Sequence, residues 1–206
     1  MKTKNILFTI IMYFILNTII VFFLTYFNAN LAIKPISIIS NKFGLLYTFF
    51  ILVFLGPFVE EIIFRWSLKY SSTKIYISTF LGVLFYFNSI YLLEFDLKQI
   101  MISLFVIIIL FVIIKFVIIK HNILGNEKNL KIYSYLLAIL FGMYHFKMIV
   151  NINYFSVFPY LYILPKIILG VFLNKIRVNY GMKYNIGVHI LINLISSLGI
   201  ITEFFK

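Results

Sequence analysis

The sequence contains no cysteine, which excludes a disulfide framework, a thiolate nucleophile and cysteine-bound zinc. Acid is scarce as well, with six Asp and Glu against 18 Lys and Arg in 206 residues. Charged residues make up only 12% of the chain. No polar linker is long enough to separate two folding units, the longest clearly polar connection being His121 to Lys131. The chain therefore reads as one domain, residues 1 to 206. No internal repeat is evident, which weighs against the repeated halves of many transporters.

Apolar residues fill the sequence instead. They make up 63% of it, with a mean hydropathy of +1.07, whereas soluble domains contain roughly 45–50%. A helix needs roughly 20 mostly apolar residues to cross a bilayer. Seven stretches fit that length: Asn5 to Phe27, Gly44 to Phe64, Ile75 to Leu93, Ile100 to Ile119, Ile132 to Ile152, Tyr154 to Leu173 and Tyr184 to Phe204. The expected fold is an all-α, polytopic transmembrane bundle of about seven helices around a buried polar site. The first stretch is too long for a leader h-region and lacks a small-x-small cleavage site, so it is read as a retained helix.

The net charge of +12 does not indicate nucleic acid, because the basic residues are spread over short connections between apolar segments. Placing the N-terminus inside puts twelve of them in inner connections and five, including Lys34 and Lys206, in outer ones. The positive-inside rule then gives a cytoplasmic N-terminus and an external C-terminus in a multi-pass membrane protein. The inner charge also suits an anionic lipid surface. The sixth stretch carries Pro159, Pro165 and Lys166. It is expected to kink and pack against protein, with the lysine snorkelling toward water or the kink serving substrate access.

Ionisable groups inside membrane segments cost about 2.5–3.5 kcal/mol each at a helix centre, so each needs a partner or a task. Glu60 and Glu61 are adjacent near the end of the second stretch; His145 lies in the fifth and His189 in the seventh. Glu61 and Arg65 are four apart, on one helical face and within reach of an ion pair. Glu60 is rotated by about 100° and projects elsewhere. One carboxylate thus neutralises the arginine and the other is left for chemistry. A purely structural cluster of both glutamates with Arg65 is the alternative. Phe141 and His145 share a face by the same spacing, as do His189 and Asn193, whose side chains could present two donors toward one point. Taken singly, these pairs could equally be core packing and interhelical polar contacts.

EEIIFR (Glu60 to Arg65), FGMYH (Phe141 to His145) and HILIN (His189 to Asn193) occur in this order on three separate segments. They resemble the signature motifs EExxxR, FxxxH and HxxxN of the CPBP (Abi) family. Its members are intramembrane glutamic endopeptidases related to CAAX prenyl proteases and to bacteriocin-processing and immunity proteins. The resemblance covers Phe54 to Ser197 and extends to Pro57 before the acidic pair. Tyr144 and the lysine-bearing sixth segment depart from the family pattern without touching the signature residues. The resemblance implies that Glu60 and His145 hold and activate a water, and that Glu61 and Arg65 organise the first motif. His189 and Asn193 would stabilise the oxyanion, and Phe141 would pack the site.

The chemistry is coherent on general grounds. Peptide hydrolysis needs an activated water, a proton for the leaving amine and donors aimed at the tetrahedral oxyanion. A carboxylate in low-dielectric surroundings is a stronger base than in water. No cofactor is implied. A zinc sphere of two histidines and a glutamate stays open beside the metal-free reading, although Asn193 is a poor ligand and no HExxH helix is present. The expected partner is a peptide or membrane-protein substrate. A non-catalytic immunity or scaffold protein of the same fold is the alternative, and a small transporter a third reading.

Depth is the strictest requirement on this scheme. At 1.5 Å per residue, Glu60 and His189 lie about 10 Å from the inner boundary and His145 about 20 Å from Ile132. The three groups meet only if the fifth helix begins elsewhere than Ile132 implies or runs outside the membrane before entering it.

Overall fold

The structure, a computed structural model, describes residues 2–27, 32–33, 37–69, 71–87, 97–150 and 155–204. Lys34, Lys206, the end of the third stretch at Leu93 and the start of the sixth at Tyr154 lie outside the described residues. Helices dominate: α1 (Lys2–Tyr26), α2 (Ser37–Phe43), α3 (Leu45–Phe50), α4 (Gly56–Arg65), α5 (Ser72–Phe87), α6 (Leu97–Ile113), α7 (Glu127–Tyr144), α8 (Phe158–Tyr180) and α9 (Met182–Phe204). A π-turn, Ile51–Leu55, fuses α3 to α4, and a second, Ile114–Ile119, extends α6. Two short strands, β1 (Ala32–Ile33) and β2 (Ile149–Val150), pair antiparallel.

Among the described residues three helices are long and apolar enough to cross a membrane: Ile6–Tyr26 in α1, the composite Leu45–Leu68, and Leu97–Ile119. The remaining elements that correspond to the seven expected stretches are shorter or more polar. α5 has 16 residues, about 24 Å at 1.5 Å per residue. α7 opens on the polar run EKNLK. α8 carries Lys166, Asn174, Lys175 and Arg177 among its apolar residues, and α9 carries Lys183, Asn185, His189 and Asn193. α6 turns Phe105, Ile108 and Val112 outward, as a helix bathed in lipid does.

α7 begins at Glu127, capped by the Asn126 side chain accepting from the Lys128 amide at 2.8 Å. It therefore starts five residues before Ile132, on a polar run, so His145 lies farther from the start of its helix than the Ile132 boundary implies. It also stops at Tyr144, whereas the expected end at Ile152 lies outside the described residues. After Tyr144 the backbone tightens into a 3₁₀ turn, His145–Met148, that leads into β2.

α7 and α8 form the closest helix pair. At Gly170 an added Cβ would stand 3.0 Å from the Ala138 Cα, and at Gly142 it would collide with the Ile167 side chain. Small residues let two backbones approach where no hydrophobic force joins helices in lipid. Around this crossing Phe64 of α4, Phe141 of α7, Leu173 of α8 and Ile192 of α9 build the main core, with Ile10 and Tyr13 of α1 added to it. The three motif-bearing helices thus share one core.

Candidate active site

Pro57 shapes the approach to the acidic pair. A proline inside a helix supplies no amide proton and its ring crowds the carbonyl four residues back. The chain accommodates it by widening into the π-turn, where the Gly56 amide bonds to the Ile51 carbonyl. The Leu52 carbonyl then loses both ordinary helical donors, since Gly56 is committed and Pro57 has no N–H. Asn193 fills the gap, its Nδ2 donating to the Leu52 oxygen at 2.9 Å. One N–H of the Asn193 amide is therefore spent on backbone support, and one remains.

Glu61 is saturated. Its Oε1 accepts from Arg65 Nη1 at 3.1 Å and from His189 Nδ1 at 2.7 Å, and its Oε2 accepts from Asn185 Nδ2. Glu61 and Arg65 are both fully buried, and further hydrogen bonds offset much of the cost of burying the pair, although Arg65 Nη2 has no hydrogen-bond partner among the described residues. Arg65 Nε donates to Asn174 Oδ1 at 3.2 Å, and Asn174 Nδ2 donates to the Ser134 carbonyl at 2.6 Å. The guanidinium lies 3.9 Å from the Phe141 ring centre, a cation–π contact that strengthens with desolvation. Arg177 closes the end of α4 by donating from Nε to the Arg65 carbonyl at 3.2 Å.

Glu60 is placed differently. Its Oε2 lies 3.7 Å from His189 Nε2, and its side chain keeps 14% of its surface accessible against none for Glu61. A carboxylate only accepts, so the short Glu61 contact places a proton on Nδ1 of His189 and turns Nε2 toward Glu60. His189 is thus gripped by one glutamate and faces the other.

His145 is oriented by the end of its own helix. The 3₁₀ tightening directs the His145 amide to the Gly142 and Met143 carbonyls. This frees the Phe141 oxygen, which lies 2.8 Å from His145 Nδ1. The carbonyl can only accept, so Nδ1 carries the proton and Nε2 presents a lone pair. Phe141 joins the motifs. Its ring centre is 5.0 Å from that of His145, 5.8 Å from that of His189 and 5.4 Å from that of Phe64.

The structure links Glu60, Glu61, Arg65, Phe141, His145 and His189 through a chain of contacts, while Asn193, four residues beyond His189 on α9, bonds to the Leu52 carbonyl. Direct contacts join Glu60 to His189 and both histidines to Phe141. The zinc sphere built from the two histidines and a glutamate does not form: among the described residues no three His, Asp or Glu side chains are placed to hold a metal ion. Sequence reasoning missed Asn185, Asn174 and the support of His189 by Glu61. Asn185, His189 and Asn193 recur at intervals of four on α9, so the helical period could have found the first of these. Asn174 carries no such signal. No family model, curated protein or solved structure matches the chain significantly.

Proposed function

We propose that the chain is an intramembrane endopeptidase in which Glu60 activates water to hydrolyse a peptide bond, as its resemblance to the CPBP family implies. One observation carries the reading: of two adjacent glutamates, Glu61 is consumed by three donors while Glu60 faces His189 Nε2 with part of its surface accessible. In the proposed reaction Glu60 takes a proton from water, and the oxygen adds to the carbonyl carbon of the scissile bond. Glu60 relays that proton to His189 Nε2, which with the second N–H of Asn193 then donates to the tetrahedral oxyanion. The C–N bond then breaks as the proton passes to the leaving amine. His145 Nε2 orients or shares the water. The membrane arrangement in this reading has seven crossings, with the N-terminus on the cytoplasmic side of a bacterial plasma membrane. The substrate is a peptide or membrane protein cut near that side, and prenylation is not required.

The test is cleavage of a membrane-tethered peptide library by the purified protein in detergent, comparing wild type, Glu60→Gln and His145→Ala, each with and without a zinc chelator. Chelator-resistant products that vanish in Glu60→Gln support glutamate-activated water. Equal cleavage by Glu60→Gln overturns the reading. Folded wild type that cleaves nothing but binds peptide moves the protein to the immunity or scaffold class.

A further inference from the structure

α9 has two distinct faces. Asn185, His189 and Asn193 turn toward the second span, where they bond to Glu61 and to the Leu52 carbonyl. Two positions turn a helix by about 200°, so Gly187 faces away from His189. On that far side Lys183, Tyr184, Gly187, Val188 and Leu191 line an open groove of about 370 Å³. Gly187 leaves the space, since an added Cβ there meets nothing within 4 Å. Tyr184 and Leu191 are exposed beside it, while Val188 belongs to the main core and fixes one side of the groove by its packing.

The groove is apolar along its length and basic at one end. Lys183 and Leu191 are eight residues apart, about 12 Å along the helix. No Asp or Glu occurs between Glu127 and Glu203, so the cations of α8 and α9 have no acid of their own. Two of them are held by neutral partners: Lys166 Nζ donates to the Tyr13 hydroxyl at 2.7 Å, and Arg177 Nε donates to the Arg65 carbonyl at 3.2 Å. Lys175 and Lys183 are exposed, and among the described residues neither pairs with a carboxylate. Only Gly181 separates α8 from α9, which keeps Lys183 at the basic end of the bundle.

A cation at one end and an apolar channel leading from it are the complement of a phospholipid with an anionic headgroup. The rings of Tyr180 and Tyr184 meet at 6.4 Å beside Lys183 in the sequence, and tyrosines are enriched where headgroups meet water. Other occupants fit less well. A helix is about 10–12 Å across, wider than the gap left by one missing side chain. A second copy related by a twofold axis along the membrane normal would set Lys183 against its own equivalent, because such an interface joins the same patch on both copies.

We propose that this groove binds an anionic phospholipid, its phosphate at Lys183 and one acyl chain running over Gly187 toward Leu191. The lipid then backs α9 on the side opposite His189 and Asn193. Basic pockets at membrane helices take anionic headgroups by the same attraction.

Photolabelling tests the site. The full-length protein is placed in phosphatidylcholine nanodiscs containing a small fraction of phosphatidylglycerol with a diazirine in its acyl chain, and the labelled residues are mapped by mass spectrometry. Wild type is labelled at Gly187 to Leu191 roughly fivefold more than by diazirine phosphatidylcholine at the same fraction, the preference one lysine gives near a headgroup. Lys183→Gln brings the two lipids level, whereas Lys183→Arg keeps the preference. Gly187→Leu fills the groove and lowers labelling by phosphatidylglycerol at least roughly threefold, to the level of phosphatidylcholine. It also puts a better helix former at an exposed position, so folding is retained. Added phosphatidylglycerol raises the melting temperature of wild type, as a ligand of the folded state does, more than that of Gly187→Leu. Equal labelling of wild type by the two lipids overturns the proposal, and so does undiminished labelling of Gly187→Leu. The chain has no cysteine, so Gly187→Cys reports the competing occupant: disulfide-linked dimers that form under oxidant and are not slowed by phosphatidylglycerol assign the groove to a second copy and overturn the lipid site. None of these readouts uses cleavage, so the lipid site stands or falls separately from the protease reading.

Discussion

Asn193 holds the Leu52 carbonyl at 2.9 Å, tying α9 to the one turn of the second span where the helix cannot satisfy itself. The bond gives Asn193 a structural task beside its proposed chemical one, and the two separate by measurement. Asn193→Ala leaves a part-buried carbonyl unpaired and should lower unfolding stability by about 1 kcal/mol. If the second N–H also stabilises an oxyanion, kcat falls by a further ~10²–10³. A melt combined with turnover at saturating substrate distinguishes them: loss of stability alone assigns Asn193 to the scaffold.

Pro57→Ala tests the cause of the π-turn. Alanine restores an amide and relieves a ring clash, so the helix gains up to about 3 kcal/mol in its own right. The expected outcome is a protein as stable as wild type or more so, with weaker cleavage because Glu60 is rotated relative to His189. A variant with unchanged activity would show that the π-turn does not set the Glu60 geometry.

Arg65→Met strands Glu61 with a buried charge and should cost about 3–5 kcal/mol. Adding Glu61→Gln should recover part of that loss, because the remaining amide needs no counter-charge. Unfolding in detergent of both singles and the double gives the coupling. Additive losses would mean that the pair is not energetically linked, against its 3.1 Å separation.

Two glycines should respond in opposite senses. Gly142→Ala drives a methyl group into Ile167 and should destabilise by about 1–3 kcal/mol through overpacking. At Gly187 an added Cβ meets nothing within 4 Å, so Gly187→Ala should stabilise α9 by about 0.5–1 kcal/mol. Thermal melts of the two variants check the sign, and a neutral Gly142→Ala would deny the tightness of the α7–α8 crossing.

Part of this architecture was legible in the sequence because it is local. Glu61 and Arg65 meet through the spacing of four, and Glu60 projects away through the same geometry. The convergence on Phe141 follows from helix packing, which no single segment encodes; the FGMYH motif gave only the residues. His189 and Glu61 are 128 positions apart, and Lys166 and Tyr13 are 153 apart. Their pairing depends on which helices become neighbours, information distributed over small residues such as Ala138 and Gly170. The end of α7 was misjudged because Phe146 to Ile152 is largely apolar, and hydropathy does not register a histidine that replaces a backbone donor.

The buried network also constrains how the protein is made. α4 emerges from the ribosome with Glu60, Glu61 and Arg65, yet Asn174, Asn185 and His189 are still untranslated. At roughly 5–20 residues per second, the 128 residues between Glu61 and His189 take about 6–25 s to synthesise. During that interval α4 carries Glu60 without His189 and a Glu61–Arg65 pair without the hydrogen bonds from Asn174, Asn185 and His189 that surround it, so bare lipid is a poor place for it to wait. It must linger at the membrane surface or beside the insertion machinery until α8 and α9 arrive. Chains truncated after α7 should therefore be recognised by quality-control proteases as unfinished, while chains completed through α9 escape them.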